Sequence, residues 1–384
     1  MNARPRIVLV ITRLIVGGAQ LTVRGLCNDL SDRFDIHVVC GPDVGSEGSL
    51  LGEVREVVPV TVLPNLRRDI HPRQDLAAMA SLKAIFERLR PDLVHTHSSK
   101  AGILGRLAAR GRRPIVHTIH GWGHTPLDPT WRRHTFIALE RFVAPRTDAL
   151  VAVSEDVREE GLRLRIGTRD QYRVIPAYVD YHPSADDFTA ARRRARERLE
   201  VSPDDAVIGW VGRFVPQKDP DTLAHALRRI LLHRQDDHTR AVLVGDGPLR
   251  DRVQRQLAPL GSRALFTGRL ANVRELYPAF DVLVHVSRWE GQPMVVEEAI
   301  AERIPVVATR VSGIEDLVRD GVGYVVGPGS VRGLADRALE VLAGSELRAP
   351  LSTEAVGQVA EGHDRAVTIA EHVRLYEELL RAWT

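Results

Sequence analysis

Short apolar runs alternating with longer helical patterns constrain this chain more than any other feature. In the first half the runs are Ile7–Ile11, Asp35–Cys40, Val57–Val62, Leu93–Thr96, Ile115–Thr118, Ala149–Val153 and Arg173–Ile175. Helical stretches such as Ala19–Leu30 and Leu76–Leu89 lie between them. Several runs are continuously apolar, as strands covered on both faces require. Strand–helix alternation of this kind predicts parallel sheets joined by right-handed crossovers. The pattern breaks over Asp180–Pro203, where Pro183, Asp186 and Asp187 precede the arginine-rich run Ala190–Leu199, read as a charged helix. A second series follows: Val207–Val211, Ala241–Val244, Ala264–Thr267, Val282–Val286, Val306–Ala308 and Tyr324–Val326. The expectation is an α/β chain of two Rossmann-like domains, residues 1–180 and 181–363, with a last helical pattern over Asp364–Trp383. The length of 384 residues fits two or three domains.

Composition narrows the class. Hydrophobic residues make up 44% and charged residues 27%, ordinary values for a globular protein. No stretch approaches the roughly 18 apolar residues of a membrane span. The run Ile7–Ile11 is too short for a signal peptide and is soon followed by Arg13. With only Cys27 and Cys40, neither a disulfide framework nor a cysteine-rich metal site is expected, and a cytoplasmic location follows. Residues 1–180 carry 26 basic and 20 acidic side chains, net +6, against −3 for the rest. The pairs Arg67–Arg68, Arg112–Arg113 and Arg132–Arg133 lie in the basic half. Such a half can attract an anionic substrate or the anionic inner face of a membrane, although solvated surface charge is the commoner meaning. Nucleic acid is not an expected partner, since no basic stripe is interleaved with aromatic residues.

In doubly wound sheets ligands bind beyond the carboxyl ends of the strands. After Val207–Val211 comes Gly212-Arg213-Phe214-Val215-Pro216-Gln217-Lys218, whose Arg213 and Lys218 suit a diphosphate. After Ala241–Val244 comes Gly245-Asp246-Gly247-Pro248, where glycines permit a tight turn and close approach to a ligand. After Val282–Val286 comes Ser287-Arg288-Trp289-Glu290-Gly291-Gln292-Pro293-Met294-Val295-Val296-Glu297-Glu298. Pro293 suits the first turn of a helix, whose backbone N–H groups around Gly291–Val295 could receive an anion. Glu290 stands ahead of that helix, and Glu298 lies on it, where a carboxylate can accept ribose hydroxyls.

These segments together resemble the retaining glycosyltransferases of family 4, which have the GT-B fold of two Rossmann-like domains facing across a cleft. The resemblance runs from about Gly209 to Gly327 and rests on the Gly212–Lys218 loop, Val244-Gly245-Asp246-Gly247-Pro248, and Glu290-Gly291-Gln292-Pro293 with Glu298, continuing to Pro305–Thr309. It implies that Arg213 and Lys218 hold the donor diphosphate and stabilise the leaving group. Glu298 would bind ribose and Glu290 would lie near the transferred sugar. Gly291, Gln292, Pro293, Met294 and Val295 would line the sugar and phosphate, and Arg269 the base-binding loop. Gln292 stands where many members have a bulky apolar residue, so the donor sugar stays open. The last helix, 364–384, is expected to cross back to the first domain.

In the first half, Val16-Gly17-Gly18-Ala19-Gln20 opens a helix but lacks Gly-x-Gly-x-x-Gly, which weakens a dinucleotide site. The resemblance puts this loop on the acceptor side of the cleft, with Gly17 and Gly18 near the donor. His95 and His97 follow one strand, His117 and His120 the next. Metal ligation is not expected, because only Asp92 offers a carboxylate close by in sequence. The resemblance assigns His120 a place by the donor sugar and, more weakly, His97. Lys100 and Trp122 are acceptor-side candidates, with plain surface and core packing as their respective alternatives.

The implied reaction moves a sugar from a UDP- or GDP-sugar to a hydroxyl acceptor with retention, giving an α linkage. Acceptors in the family include lipid-linked glycans, polysaccharides and natural products. No Asp-x-Asp cluster is present to hold a metal, and no cofactor is expected. Rival readings are a nucleotide-sugar epimerase of the same fold, a nicotinamide-dependent oxidoreductase and a non-catalytic nucleotide-sugar binding subunit. The sequence carries no signal of oligomeric state.

Overall fold

The computed structural model describes residues 4–43, 48–109, 111, 113–176, 179, 187–234, 238–270, 272–344 and 350–383. The expected 180/181 boundary, with Pro183 and Asp186, and Arg112 of one basic pair lie outside these residues. The chain divides into two compact units, residues 1–178 with 365–384, and residues 179–364.

Among the described residues the first unit holds seven strands: β1 (Arg6–Ile11), β2 (Asp35–Cys40), β3 (Val60–Val62), β4 (Leu93–His97), β5 (Ile115–Ile119), β6 (Ala149–Ala152) and β7 (Tyr172–Val174). They form one parallel sheet in the order β3-β2-β1-β4-β5-β6-β7. The second unit holds β8 (Ala206–Val211), β9 (Thr239–Val244), β10 (Ala264–Gly268), β11 (Val282–His285), β12 (Val306–Thr309) and β13 (Gly323–Val326). They too are parallel, in the order β10-β9-β8-β11-β12-β13. Both sheets are doubly wound, as the alternation of runs predicts. Each reverses direction once, between β1 and β4 in the first and between β8 and β11 in the second.

Burial explains why the strands are apolar throughout. Successive side chains of a strand point to opposite faces. Ile7, Leu9 and Ile11 of β1 pack with Val23, Leu26 and Cys27 of the helix Gly18–Leu30, while Val8 and Val10 pack with Leu82 and Phe86 of the helix Pro72–Leu89. In the second unit Val207 and Val211 face Val296 and Ile300, while Ile208 and Trp210 face Leu223, Leu227 and Ile230. Neither face of these strands is left for polar residues.

The predicted strand Val57–Val62 loses its first three residues. Val57 ends the helix Leu51–Val57 with its side chain exposed, and the strand spans Val60–Val62 only. Pro59 has no N–H to enter the ladder, although its carbonyl accepts from Val38 at 2.9 Å. The terminal helix Arg365–Trp383 belongs to the first unit. Its Val373, Leu375 and Tyr376 join the β1 core, Tyr376 meets Phe34 edge-on at 5.6 Å, and Arg365 pairs with Asp29. Among the described residues, no helix is long and apolar enough to cross a membrane.

Candidate functional site

The reversal between β8 and β11 sends the loop after β8 toward one side and the loop after β11 toward the other, leaving a crevice at their carboxyl ends. Lys218 and Glu290 meet there. Lys218 Nζ lies 2.5 Å from Glu290 Oε1, and both side chains are largely buried. The same oxygen accepts from Ser287 Oγ at 2.6 Å, while Gln217 Nε2 donates to Glu290 Oε2 at 3.2 Å. Burial alone would raise the Glu290 pKa. The charge of Lys218, with the hydrogen bonds from Lys218 and Ser287, instead holds it below the ordinary value. Glu290 is therefore ionised at neutral pH. His285, the last residue of β11, has Nε2 3.7 Å from Glu290 Oε1. Burial, reinforced by Lys218, pushes its pKa down to about 3, so the ring is neutral.

The two loops are locked to each other. Arg288 N–H donates to the Gln217 carbonyl at 2.8 Å, and the Arg288 guanidinium donates to Asp219 at 2.9 Å. Arg213 is exposed on the same loop as Lys218. The glycine turn after β9 packs closely on the neighbouring loop. A Cβ on Gly245 would sit 1.8 Å from the Gly212 carbonyl oxygen, and one on Gly247 would sit 2.7 Å from the Phe214 oxygen. Both glycines have positive φ. The close approach they permit is to the Gly212–Phe214 backbone, so the turn supports the Arg213 loop from behind.

After β11 the helix Met294–Ala301 begins with Pro293 at its N-cap. The expectation of available amides from Gly291 to Val295 needs one correction. Met294 N–H donates to the Gln292 carbonyl at 3.1 Å, because the chain turns tightly into the helix there. Glu298 accepts from the Tyr277 hydroxyl at 2.9 Å, and burial raises its pKa to about 6. Tyr277 is itself pushed well above its ordinary range, first by burial and then by Glu298. Arg274 pairs with Glu302 at 2.6 Å and helps to restrain the Glu298 pKa. Gln292 does not stand alone: its amide contacts Glu297, a fully buried carboxylate that also meets His363 Nδ1 at 3.1 Å. Gly291 and Pro293 are buried, Met294 and Val295 half-buried, and Arg269 is exposed directly after β10.

In the first unit the ends of β4 and β5 bring His97 and His120 together, with Nδ1 and Nε2 3.0 Å apart. Burial lowers both pKa values, that of His120 to about 3. His95 lies beside His97, with ring centroids 4.1 Å apart, and bridges Tyr376 and Thr118 at 2.6 and 2.7 Å. His117 turns to the opposite face and bonds Thr96. Gly17 caps the helix Gly18–Leu30, accepting from Leu21 N–H at 2.9 Å, and Gly18 is exposed. Lys100 is tied to Asp75 at 2.6 Å and to the Asp69 carbonyl. Trp122 is half-buried, donates to the Val157 carbonyl at 3.2 Å and stacks on His124. Its indole is therefore packed into the protein along one side.

Gln217, Ser287, His285, Tyr277 and the Glu297–His363 contact were not singled out by motif. Ser287 and His285 flank the end of an apolar run, which was a usable signal. Tyr277 sits 21 residues from its partner Glu298 and had none.

Two family models match the chain. Residues 16–182 fit Glycosyltransferase Family 4, and residues 205–344 fit Glycosyl transferases group 1. The chain is 29% identical over 295 residues to the UDP-Gal:alpha-D-GlcNAc-diphosphoundecaprenol alpha-1,3-galactosyltransferase of Escherichia coli, covering 76% of this chain and 75% of that protein. It is 25% identical over 320 residues to the N-acetyl-alpha-D-glucosaminyl L-malate synthase of Bacillus anthracis, covering 81% of each. Among solved structures, Anabaena HepE in complex with UDP and glucose superposes with a TM-score of 0.81 at 23% identity, over 97% of this chain and 99% of that one. Sucrose-phosphate synthase of Thermosynechococcus elongatus gives 0.81 at 22%, over 99% and 100%. At such identities the structural likeness speaks for the fold. Adjacent matches to both halves, and similarity along most of the chain, carry the family: the protein belongs to glycosyltransferase family 4 and is a glycosyltransferase of the GT-B fold.

Proposed function

We propose that the protein transfers a sugar from a nucleoside-diphosphate sugar to a hydroxyl acceptor with retention, forming an α linkage. The observation that carries this reading is the buried Lys218–Glu290 pair at the strand-order reversal, with Arg213 on the same loop. Negative charge grows on the diphosphate as the anomeric bond breaks. Lys218, Arg213 and the start of the helix Met294–Ala301 answer that charge without a divalent metal. The ionised Glu290 favours positive charge on the sugar. The neutral His120 serves as a hydrogen-bonding group rather than a cation. Glu298 and Tyr277 receive the ribose, and Gln292, oriented by Glu297, faces the sugar.

A UDP-sugar is the favoured donor class, since the E. coli relative uses UDP-Gal by name and HepE was solved with UDP-glucose. The same relative supports a lipid-linked acceptor. A thermal-shift panel of UDP-, GDP- and dTDP-sugars identifies the donor, because a ligand of the folded state raises its apparent stability. With donor and acceptor in hand, Arg213→Ala with Lys218→Ala should lower turnover by at least about 100-fold while the circular dichroism spectrum of the folded protein persists. A chelator should leave wild-type activity unchanged. Full activity in the double variant would sink the assignment. Isomerised donor appearing without any acceptor would replace transfer by epimerisation.

A further inference from the structure

The helix Thr130–Val143 in the first unit has three distinct faces. Ile137, Glu140 and Val143 point inward and are buried, with Glu140 bound to the fully buried Arg106 at 2.6 Å. On the opposite side Trp131, Thr135, Ala138 and Phe142 follow one another at spacings of four, three and four, the period of one helical stripe. All four are exposed; Trp131 shows 69% of its surface and Phe142 54%. Leu139 and, just before the helix, Leu127 extend the apolar area.

Cations border this stripe on both sides. Arg132 lies along one flank and Arg141 along the other, both exposed. Arg146, past the helix end, places its guanidinium 4.2 Å from the Phe142 ring centroid. From Pro129 to Arg146 the one acidic residue is Glu140, which is buried and neutralised. Asp128 lies 3.3 Å from Arg132 and is itself mostly covered. An exposed apolar stripe of this extent marks an interaction surface. Its cationic borders match a plane of uniform negative charge, against which arginine stems can lie while their heads stay hydrated.

We infer that the outer face of the helix Thr130–Val143 docks the protein onto an anionic lipid bilayer, lying in the interface plane with Trp131 and Phe142 inserted. The helix is about 21 Å long, enough to rest along the surface while its buried face stays attached to the domain. The proposal concerns this face alone and stands whichever donor or acceptor the crevice accepts.

The test is flotation of the full chain with two kinds of vesicle, phosphatidylcholine alone and phosphatidylcholine with about 30 mol% phosphatidylglycerol. The wild type should float with the anionic vesicles and remain behind with the neutral ones, and added salt should weaken binding. Trp131→Ala with Phe142→Ala, and separately Arg132→Glu with Arg141→Glu, should each weaken it by at least about tenfold with an unchanged circular dichroism spectrum. The proposal is overturned by a wild type that ignores anionic vesicles, or by variants that bind as well as the wild type. It is equally overturned if the aromatic variant converts a dimer to a monomer with vesicle binding unaltered, which would make the stripe a contact between copies.

Discussion

Glu298 carries its proton more tightly than an exposed glutamate because burial penalises the carboxylate beside Tyr277. Its pKa in the fold, about 6, exceeds the ordinary 4.5. The stabilising contribution of the protonated form is complete below the ordinary value and is lost as pH rises through about 6. Replacing Glu298 by Gln removes that loss. The variant should therefore be more stable than wild type at pH 8, by up to about 2 kcal/mol, and the difference should vanish toward pH 4. Urea midpoints across pH measure this, and a gap independent of pH would refute the assignment. Glu290 is the opposite case, since its partner Lys218 keeps it ionised despite burial. The two glutamates were legible in the sequence as a spaced pair. Their opposed titration was not, because it depends on burial around Glu298 and on Lys218 beside Glu290, neither of which shows in the local sequence.

Among the local elements, the turn Gly245–Gly247 transmits most to the site. It sits against the backbone of the Arg213 loop. Gly245→Ala combines a φ of 134° with a Cβ in the place of the Gly212 carbonyl. A loss of at least about 3 kcal/mol is expected, with reduced donor affinity as the loop shifts. Chemical denaturation and UDP-sugar titration would test both parts, and a neutral substitution would show that the loop is held by other contacts. The strands themselves were readable because burial on both faces leaves long apolar runs with no polar interruption. Their ends were less so: the Val57–Val62 run conceals a helix end, since apolar residues serve either element equally well.

On the scale of the molecule, the chain returns at its end to close the first unit. Tyr376 is fully buried, bonds His95 across 281 residues and packs on Phe34. Tyr376→Ala should cost the first unit about 3–5 kcal/mol, visible as faster hydrogen exchange in β1 and β4. Unaltered exchange there would mean that the helix Arg365–Trp383 is not integral to that core. Apolar runs were sufficient to specify the thirteen strands of the described residues, the α/β class and the loops that carry cations and carboxylates, because these depend on how each short segment meets an apolar layer. Which loops become neighbours was decided only on folding. Strand order sets β8 beside β11 and so joins Lys218 to Glu290 across 72 residues. That adjacency follows from sheet twist, crossover handedness and the packing of helices on both faces, which act between segments and leave no period along any one of them.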